Sequence, residues 1–543
     1  MLAAGALIAQ QVVGKATRDA LFLSTFHVSS LPLVMIASAV ASSLAVLGFS
    51  AAMSQRSPAR VVPLALAAGT VLLVGEWGLC LVQPRLAAIA VYLHMAVFGA
   101  TVVSGFWLLV NERFDPYLAR RVMGRIGMGA SLGGVAGGLL AWSAAGVLPV
   151  PSMLALMAAF NVICLVALGR FAGSRPAAAP APSERTGPLS GLRLLREVPY
   201  LRDLAIFVAL GAATEAILDY NLNARAAATF APGQPLLSFF ALFHTGVGLL
   251  ALIAQTTLSK ASLLGLGLAG TVALRPASVA VTALLGLVDP RLWTAVLTRG
   301  AHGVLQNSLF RSGYELLFTP VAERRKRPTK AIVDVGFDRL GTVAGGLLTL
   351  AVVFALGGRG STRTLFALAG AGALAAIAVS HRLHRGYVFA LEESLRSGVV
   401  RLDMAEVRDS TTYVTLARTG LGLDRQALLR DVAGLRAAAA AGTPSVADPV
   451  LQTITELRSG RPEAIRVALH RTEVTDPALV GHLIPLLADN TVFLDVVRAL
   501  RRSGPRAAGQ MLDVLLDPRQ DVAIRRRVAR VLRGSPVQRA VDG

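Results

Sequence analysis

A succession of apolar segments, each about as long as a membrane crossing, fills the first 380 residues and limits what the chain can fold into. They run at about 1–26, 30–53, 61–82, 86–111, 123–146, 152–171, 203–225, 236–258, 262–288, 292–318, 331–356 and 361–380. A helix needs about 20 predominantly apolar residues to cross a bilayer. Backbone polar groups in lipid must bond within the chain, so about twelve segments of this kind read as about twelve transmembrane helices in an all-α, polytopic membrane protein. Composition agrees. Of 543 residues, 54% are hydrophobic and only 16% charged, with a mean hydropathy of +0.60. Soluble domains average about 25% charged residues. Disordered, collagen-like and disulfide-scaffold classes are excluded by the same balance. Cys80 and Cys164 both lie in apolar runs and read as buried thiols.

The acidic residues mark where the apolar part ends. Residues 1–380 contain 14 Asp and Glu, and the shorter stretch 381–543 contains 18. Four domains follow: a six-helix half at 1–171, a Pro/Ala-rich linker at 172–202, a second six-helix half at 203–380 and a polar tail at 381–543. The first segment has no basic n-region and no small-residue cleavage site, so it is not a signal peptide. It begins abruptly at Met1, which leaves room for a start further upstream. The net charge is +21. In a soluble chain that would suggest nucleic acid. Here the basic residues fall in loops after even-numbered segments: Arg56 and Arg60; Arg113, Arg120 and Arg121; Lys260; and Arg324, Arg325, Lys326, Arg327 and Lys330. Basic short loops stay in the cytoplasm, so both termini and the tail are expected there, with no nucleic-acid partner. The Arg-over-Lys bias and abundant Ala suggest a GC-rich bacterial genome, hence an inner membrane.

Two repeats stand out. Leu132-Gly133-Gly134-Val135-Ala136-Gly137-Gly138-Leu139-Leu140 recurs 208 residues later as Leu340-Gly341-Thr342-Val343-Ala344-Gly345-Gly346-Leu347-Leu348, and Ser104-Gly105-Phe106 recurs as Ser312-Gly313-Tyr314. Segments 4 and 5 thus correspond to 10 and 11, the self-similarity of a six-plus-six build. The glycines are spaced to let helices approach closely. In the tail, Pro449, Pro477 and Pro505 recur every 28 residues, each opening an apolar run, with second runs at 461–471, 490–503 and 521–534. Helix pairs at this period suggest a short, loosely HEAT-like α-solenoid that could bind a cytoplasmic protein partner.

Ionisable residues at membrane depth are costly and point to function unless they pair structurally. Segment 1 holds Lys15, Arg18 and Asp19, with Lys15 and Asp19 spaced to pair on one face. Segment 7 holds Glu215 and Asp219, then Asn221 and Asn223. In a six-plus-six fold these two segments face one cavity, and the acids would trade salt bridges with Lys15 and Arg18. Segment 10 carries Arg299, His302, Asn307, Arg311 and Glu315, the last two one turn apart. His302 reads as a hydrogen-bonded packing residue. Segment 11 opens with Asp334, Asp338 and Arg339, and segment 3 has a lone Glu76. No His/Cys/Asp cluster has metal spacing and no phosphate-binding Gly loop is present. No metal, cofactor or enzymatic chemistry is expected.

These residues resemble a known family. Lys15-Ala-Thr-Arg18-Asp19-Ala-Leu21 resembles the first-helix signature of the ATP/ADP translocases, the nucleotide transporters of plastids and intracellular bacteria. Phe106-Trp107, Asn111-Glu112 and Ala119-Arg120-Arg121 resemble that family's fourth-span pattern, and Tyr220-Asn221-Leu222 its seventh-span motif. Phe310-Arg311-Ser312-Gly313-Tyr314-Glu315-Leu316-Leu317-Phe318-Thr319-Pro320 and Lys330-Ala331-Ile332-Val333-Asp334 with Asp338-Arg339-Leu340-Gly341 resemble its tenth- and eleventh-span stretches. At segment 10, Arg311 stands where the family has Asp and Tyr314 where it has Lys. The resemblance covers about 1–380 and implies a major-facilitator-like fold and secondary transport of a small anionic solute, a nucleotide among the candidates. Substrate binding would then fall to Lys15, Arg18, Asp19, Glu215, Asp219, Asn221, Arg311 and Glu315. Gating or structural roles would fall to Asn111, Glu112, Arg120, Arg121, Lys330, Asp334, Asp338 and Arg339. The competing expectation is a transporter-derived membrane receptor or scaffold whose tail binds a protein.

Overall fold

A computed structural model describes residues 1–55, 58–113, 116–172, 198–321, 326, 329–330, 332–396, 407, 409–416, 418, 449–470, 477–503, 508–517 and 520–533. They are helical, with no strand among them. Two compact units form, Met1–Asp424 and Arg425–Gly543. The compositional boundary expected near residue 380 falls inside a helix that continues to Arg396. Composition changes there because the polar end of that helix is more exposed, while the chain stays packed on the first unit.

The first unit contains α1 (Leu2–Thr25), α2 (Leu31–Gln55), α3 (Pro58–Val82), α4 (Pro84–Arg113), α5 (Pro116–Ala145) and α6 (Ser152–Ala172). Then follow α7 (Pro199–Thr229), α8 (Gln234–Thr257), α9 (Gly267–Val288) and α10 (Leu292–Leu305). A π-turn at Gln306–Phe310 carries α10 into one more turn, Arg311–Leu316. A second π-turn, Ile332–Phe337, opens the helix Asp338–Arg396. That helix divides at Gly357, whose φ of 59° is left-handed and suits a residue without a Cβ. The part before the break is α11 and the part after it α12.

Nine helices among the described residues, α2–α6, α8, α9, α11 and α12, are long and apolar enough to cross a membrane. Their outer faces expose Leu44, Leu47, Val71, Leu81, Val281 and Phe354, apolar side chains that water would penalise and lipid would not. The other three long helices, α1, α7 and α10, carry the charged clusters.

The repeated glycines lie where helices touch. In α5, a Cβ on Gly137 would stand 2.6 Å from Ala9 Cα of α1. In α11, a Cβ on Gly345 would stand 2.9 Å from Ala213 Cα of α7. Gly138 meets Thr245 of α8, and its repeat counterpart Gly346 meets Ile36 of α2. Each copy of the repeat therefore packs on the first helix of its own half with one glycine and on the other half with the next. The largest apolar cluster joins the halves, with Phe22, Leu31, Met153 and Leu154 against Ile217, Leu237 and Phe240. Two further clusters stay within one half each: Leu7, Leu66, Phe106 and Cys164 in the first, and Tyr200, Phe207, Phe310 and Tyr387 in the second.

The second unit has shorter helices: α13 (Pro449–Leu457), α14 (Pro462–Leu469), α15 (Pro477–Leu483), α16 (Phe493–Arg502), α17 (Ala508–Leu516) and α18 (Val522–Leu532). Pro449 and Pro477 open helices, where a missing N–H costs nothing. Pro505 lies outside the described residues. One apolar core, including Leu469, Leu483, Leu487, Val496, Leu500, Met511 and Val528, runs through all six helices.

Candidate functional site

The three helices with charges in their apolar stretches bring those charges together. On α1, Asp19 is 3% exposed, and its Oδ1 accepts from Arg18 Nη2 at 2.7 Å. The expected Lys15–Asp19 pair does not form. Asp19 is turned inward against α8, where His244 Nε2 lies 3.7 Å from Oδ2. A lysine four residues before an acid is also the weaker order for helical pairing. Arg18 covers the Tyr92 ring at 4.6 Å. Lys15 is solvent-accessible although it lies past the middle of α1, and it makes no hydrogen bond or ion pair among the described residues. Its charged neighbours are Arg18, Arg299, Glu215 and Asp219, so it faces a cleft between the halves.

On α7, Glu215 and Asp219 stand one turn apart and share a single guanidinium. Arg299 of α10 donates from Nη2 to Glu215 Oε1 at 2.9 Å and from Nε to Asp219 Oδ1. The acids expected to trade bridges with Lys15 and Arg18 are thus held by Arg299, because the i,i+4 spacing of two carboxylates matches the fork of an arginine. His302 is 1% exposed with Nε2 3.7 Å from Glu215 Oε2, and its ring nitrogens have no hydrogen-bond partner among the described residues. The expected hydrogen-bonded packing histidine is instead an unbonded neighbour of a carboxylate. Asn221 is 1% exposed, and neither polar atom of its side chain has a partner among the described residues.

Beside this cluster, a cavity of about 290 Å³ opens among α7, α9, the two π-turns and the end of α10. Glu215, Arg275, Arg311, Tyr314, Asp334 and Asp338 line it. Arg311 and Glu315, one turn apart, do not pair with each other. Glu315 takes Lys330 at 2.6 Å, and Arg311 is exposed with no ion pair among the described residues. Both residues lie on the one regular helical turn after the π-turn, and Glu315 is taken by a lysine from outside that turn. Tyr314 donates to Asp334 Oδ1, and Arg339 lies 3.6 Å from Asp338. The side chains of Asn111, Glu112, Arg120 and Arg121 lie outside the described residues.

Sequence reading missed three contributors. Arg275 of α9 is 4% exposed, donates to Gln306 of the π-turn and stacks over Phe310 at 3.9 Å. It stood out only as an arginine inside an apolar run beside Pro276. His244 was a lone histidine on an apolar helix. His94 of α4 sits 2.9 Å from Glu76, so the acid read as solitary has a buried partner. Among the described residues no group of His, Cys, Asp and Glu could hold a metal ion.

No family model and no curated protein sequence matches the chain. Solved structures do. A mutant of the nucleoside transporter NupG aligns with a TM-score of 0.52 and 15% identity, covering 70% of this chain and 99% of that one. A POT family transporter in complex with a thioalcohol-conjugated peptide aligns with a TM-score of 0.51 and 13% identity, covering 70% of this chain and 96% of that one. At such identities the likeness establishes the fold, and the chain is a multi-pass membrane protein of major-facilitator-like fold.

Proposed function

We propose that this protein is a twelve-span secondary transporter that moves a small solute bearing an anionic group by alternating access. One observation carries the reading: charges from α1, α7 and α10 converge between the two halves, and one of them, Lys15, is a solvent-accessible cation without a partner among the described residues. Structural ion pairs leave no cation over. In this reading Lys15 receives the anionic group, Arg18 leaves Asp19 to share it, and Arg299 keeps Glu215 and Asp219 from repelling it. Such charge-assisted bonds are the strong ones in a site shielded from bulk water.

The halves would rock about this cluster. Ser24 Oγ accepts from Gly233 N at 2.8 Å, and Gln234 Nε2 donates to Leu148 O at 3.2 Å. In this reading both bonds close the end expected to lie outside the cell. Asp334, Asp338, Arg339 and the Glu315–Lys330 pair would gate the cytoplasmic end. The tail, six helices on one continuous core, would serve as a cytoplasmic repeat domain that docks a protein partner.

The resemblance of the first helix to ATP/ADP translocases puts nucleotides on the substrate panel, beside nucleosides, small carboxylates and peptides. Purified protein in liposomes should take up one member of that panel. Lys15→Met should lower that uptake at least about tenfold, the scale of one lost charge-assisted bond. Undiminished uptake by Lys15→Met would remove Lys15 from the site.

A further inference from the structure

We infer that His244 is the proton-binding residue of a site that ties the two halves together through Asp19, so that one proton enters with each anion; the coupling rests on the transport reading above. Asp19 belongs to α1 in the first half and His244 to α8 in the second, and the two helices pack directly. At 3.7 Å the contact is too long for a hydrogen bond, and His244 Nε2 is buried without a hydrogen-bond partner among the described residues. The ring is held in place by Phe240, stacked at 6.5 Å, and by Phe243, edge-on at 5.4 Å. A neutral ring there gains little from Asp19. A proton taken from water onto the imidazole turns the same contact into an ion pair without moving the backbone.

The surrounding charges give that proton a trigger. From α1, the carboxylate of Asp19 lies 3.7 Å from the ring, and Arg18, bonded to that carboxylate, and Lys15 are the cations on the same helix. From α7 and α10, Glu215, Asp219, Arg299 and His302 belong to one another, and Phe243 stands between His244 and α10, against Gly300. From α5, the nearest contact is Gly138 against Thr245, and its one ionisable side chain among the described residues, Arg125, lies 13 positions away. While Arg18 holds Asp19, the carboxylate is already neutralised, and a protonated ring adds a second, weaker partner to it from the other half. When a bound anion draws Arg18 away, Asp19 is left buried with an uncompensated charge, a strongly unfavourable state. His244 is placed to neutralise it. Anion plus proton then enter with no net change of charge, and no covalent bond forms or breaks.

The site lies five residues along α1 from Ser24, near the end closed by the Ser24–Gly233 and Leu148–Gln234 bonds. Protonation should therefore favour closure of that end even without solute. The test places spin labels at Val147→Cys and Ala231→Cys, exposed positions beside the two bonds, in the full chain in lipid nanodiscs, and reads the distance distribution from about pH 5 to 8. The closed population should grow as pH falls, by up to about tenfold per pH unit in the closed-to-open ratio, the slope for one proton. His244→Gln and Asp19→Asn should each flatten the response, and His244→Lys should hold the end closed at every pH. His94→Gln, which alters the buried histidine paired with Glu76, should leave the response intact. A response that survives His244→Gln, or disappears with His94→Gln, overturns the assignment. No solute is involved, so failure here is separable from failure of Lys15→Met to affect uptake.

Discussion

At the residue scale, the two kinds of cation in the cluster should behave in opposite ways. Arg299 neutralises two carboxylates at once, whereas Lys15 neutralises none among the described residues. Removing one partner of a buried pair costs about 3–5 kcal/mol, chiefly through the charge left behind. Glu215 and Asp219 side chains are each 33% exposed, and water in the cleft will screen part of that penalty. Arg299→Leu should therefore destabilise the protein by about 1–3 kcal/mol, and Glu215→Gln with Asp219→Asn should restore most of the loss. Lys15→Met should leave the unfolding midpoint within about 0.5 kcal/mol of the parent, or raise it, because no partner is stranded. Thermal unfolding in detergent at constant lipid content measures both. Equal destabilisation by the two substitutions would mean that Lys15 has a structural partner after all.

At the element scale, the glycine repeat works through helix spacing. Lipid gives helices no hydrophobic reason to associate, so close backbone contact supplies much of the attraction. Gly137 and Gly345 hold α5 against α1 and α11 against α7, and those pairs carry Lys15, Arg18, Asp19, Glu215 and Asp219. Any side chain at either glycine must push the helices apart. Gly137→Val and Gly345→Val should cost at least about 1–3 kcal/mol each and abolish solute binding, since the charges would separate with the helices. Gly246 of α8 has nothing within 4 Å of a Cβ placed on it. Gly246→Ala should be neutral or stabilise by up to about 1 kcal/mol. If Gly137→Val kept both fold and binding, the α1–α5 contact would be looser than its geometry indicates.

At the scale of the whole molecule, the loop charges make a topological prediction. The loop at 147–151 should lie outside the cell, and the end of α12 should lie in the cytoplasm. Cys80 and Cys164 are both buried, which leaves little background for thiol labelling. A cysteine replacing Ser152 should react with an impermeant reagent in intact cells. One replacing Ala390 should react only after the cells are opened. The reverse pattern would invert the protein and place the Ser24–Gly233 closure on the cytoplasmic side.

Hydrophobic period and length were legible without coordinates, because a bilayer-sized apolar run has few alternatives to a helix. The expected segments reappear as the helices α1–α12, nine of which, among the described residues, are long and apolar enough to cross a membrane, and the 208-residue repeat reappears as matching contacts at Gly137 and Gly345. The charged positions Lys15, Arg18, Asp19, Glu215, Asp219 and Arg299 were equally plain, since each interrupts an apolar run. What sequence could not fix was who pairs with whom. Spacing suggested Lys15 with Asp19, within one helix, and set Arg311 one turn from Glu315. The folded chain instead chose Arg18 for Asp19, Arg299 for Glu215 and Asp219, and Lys330 for Glu315. Pairing between helices depends on their rotation and depth, and a π-turn at Gln306–Phe310 shifts both for everything after it. Arg275, His244 and His94 escaped notice for the same reason: one ionisable residue on an apolar helix has no meaning until the fold brings it a neighbour.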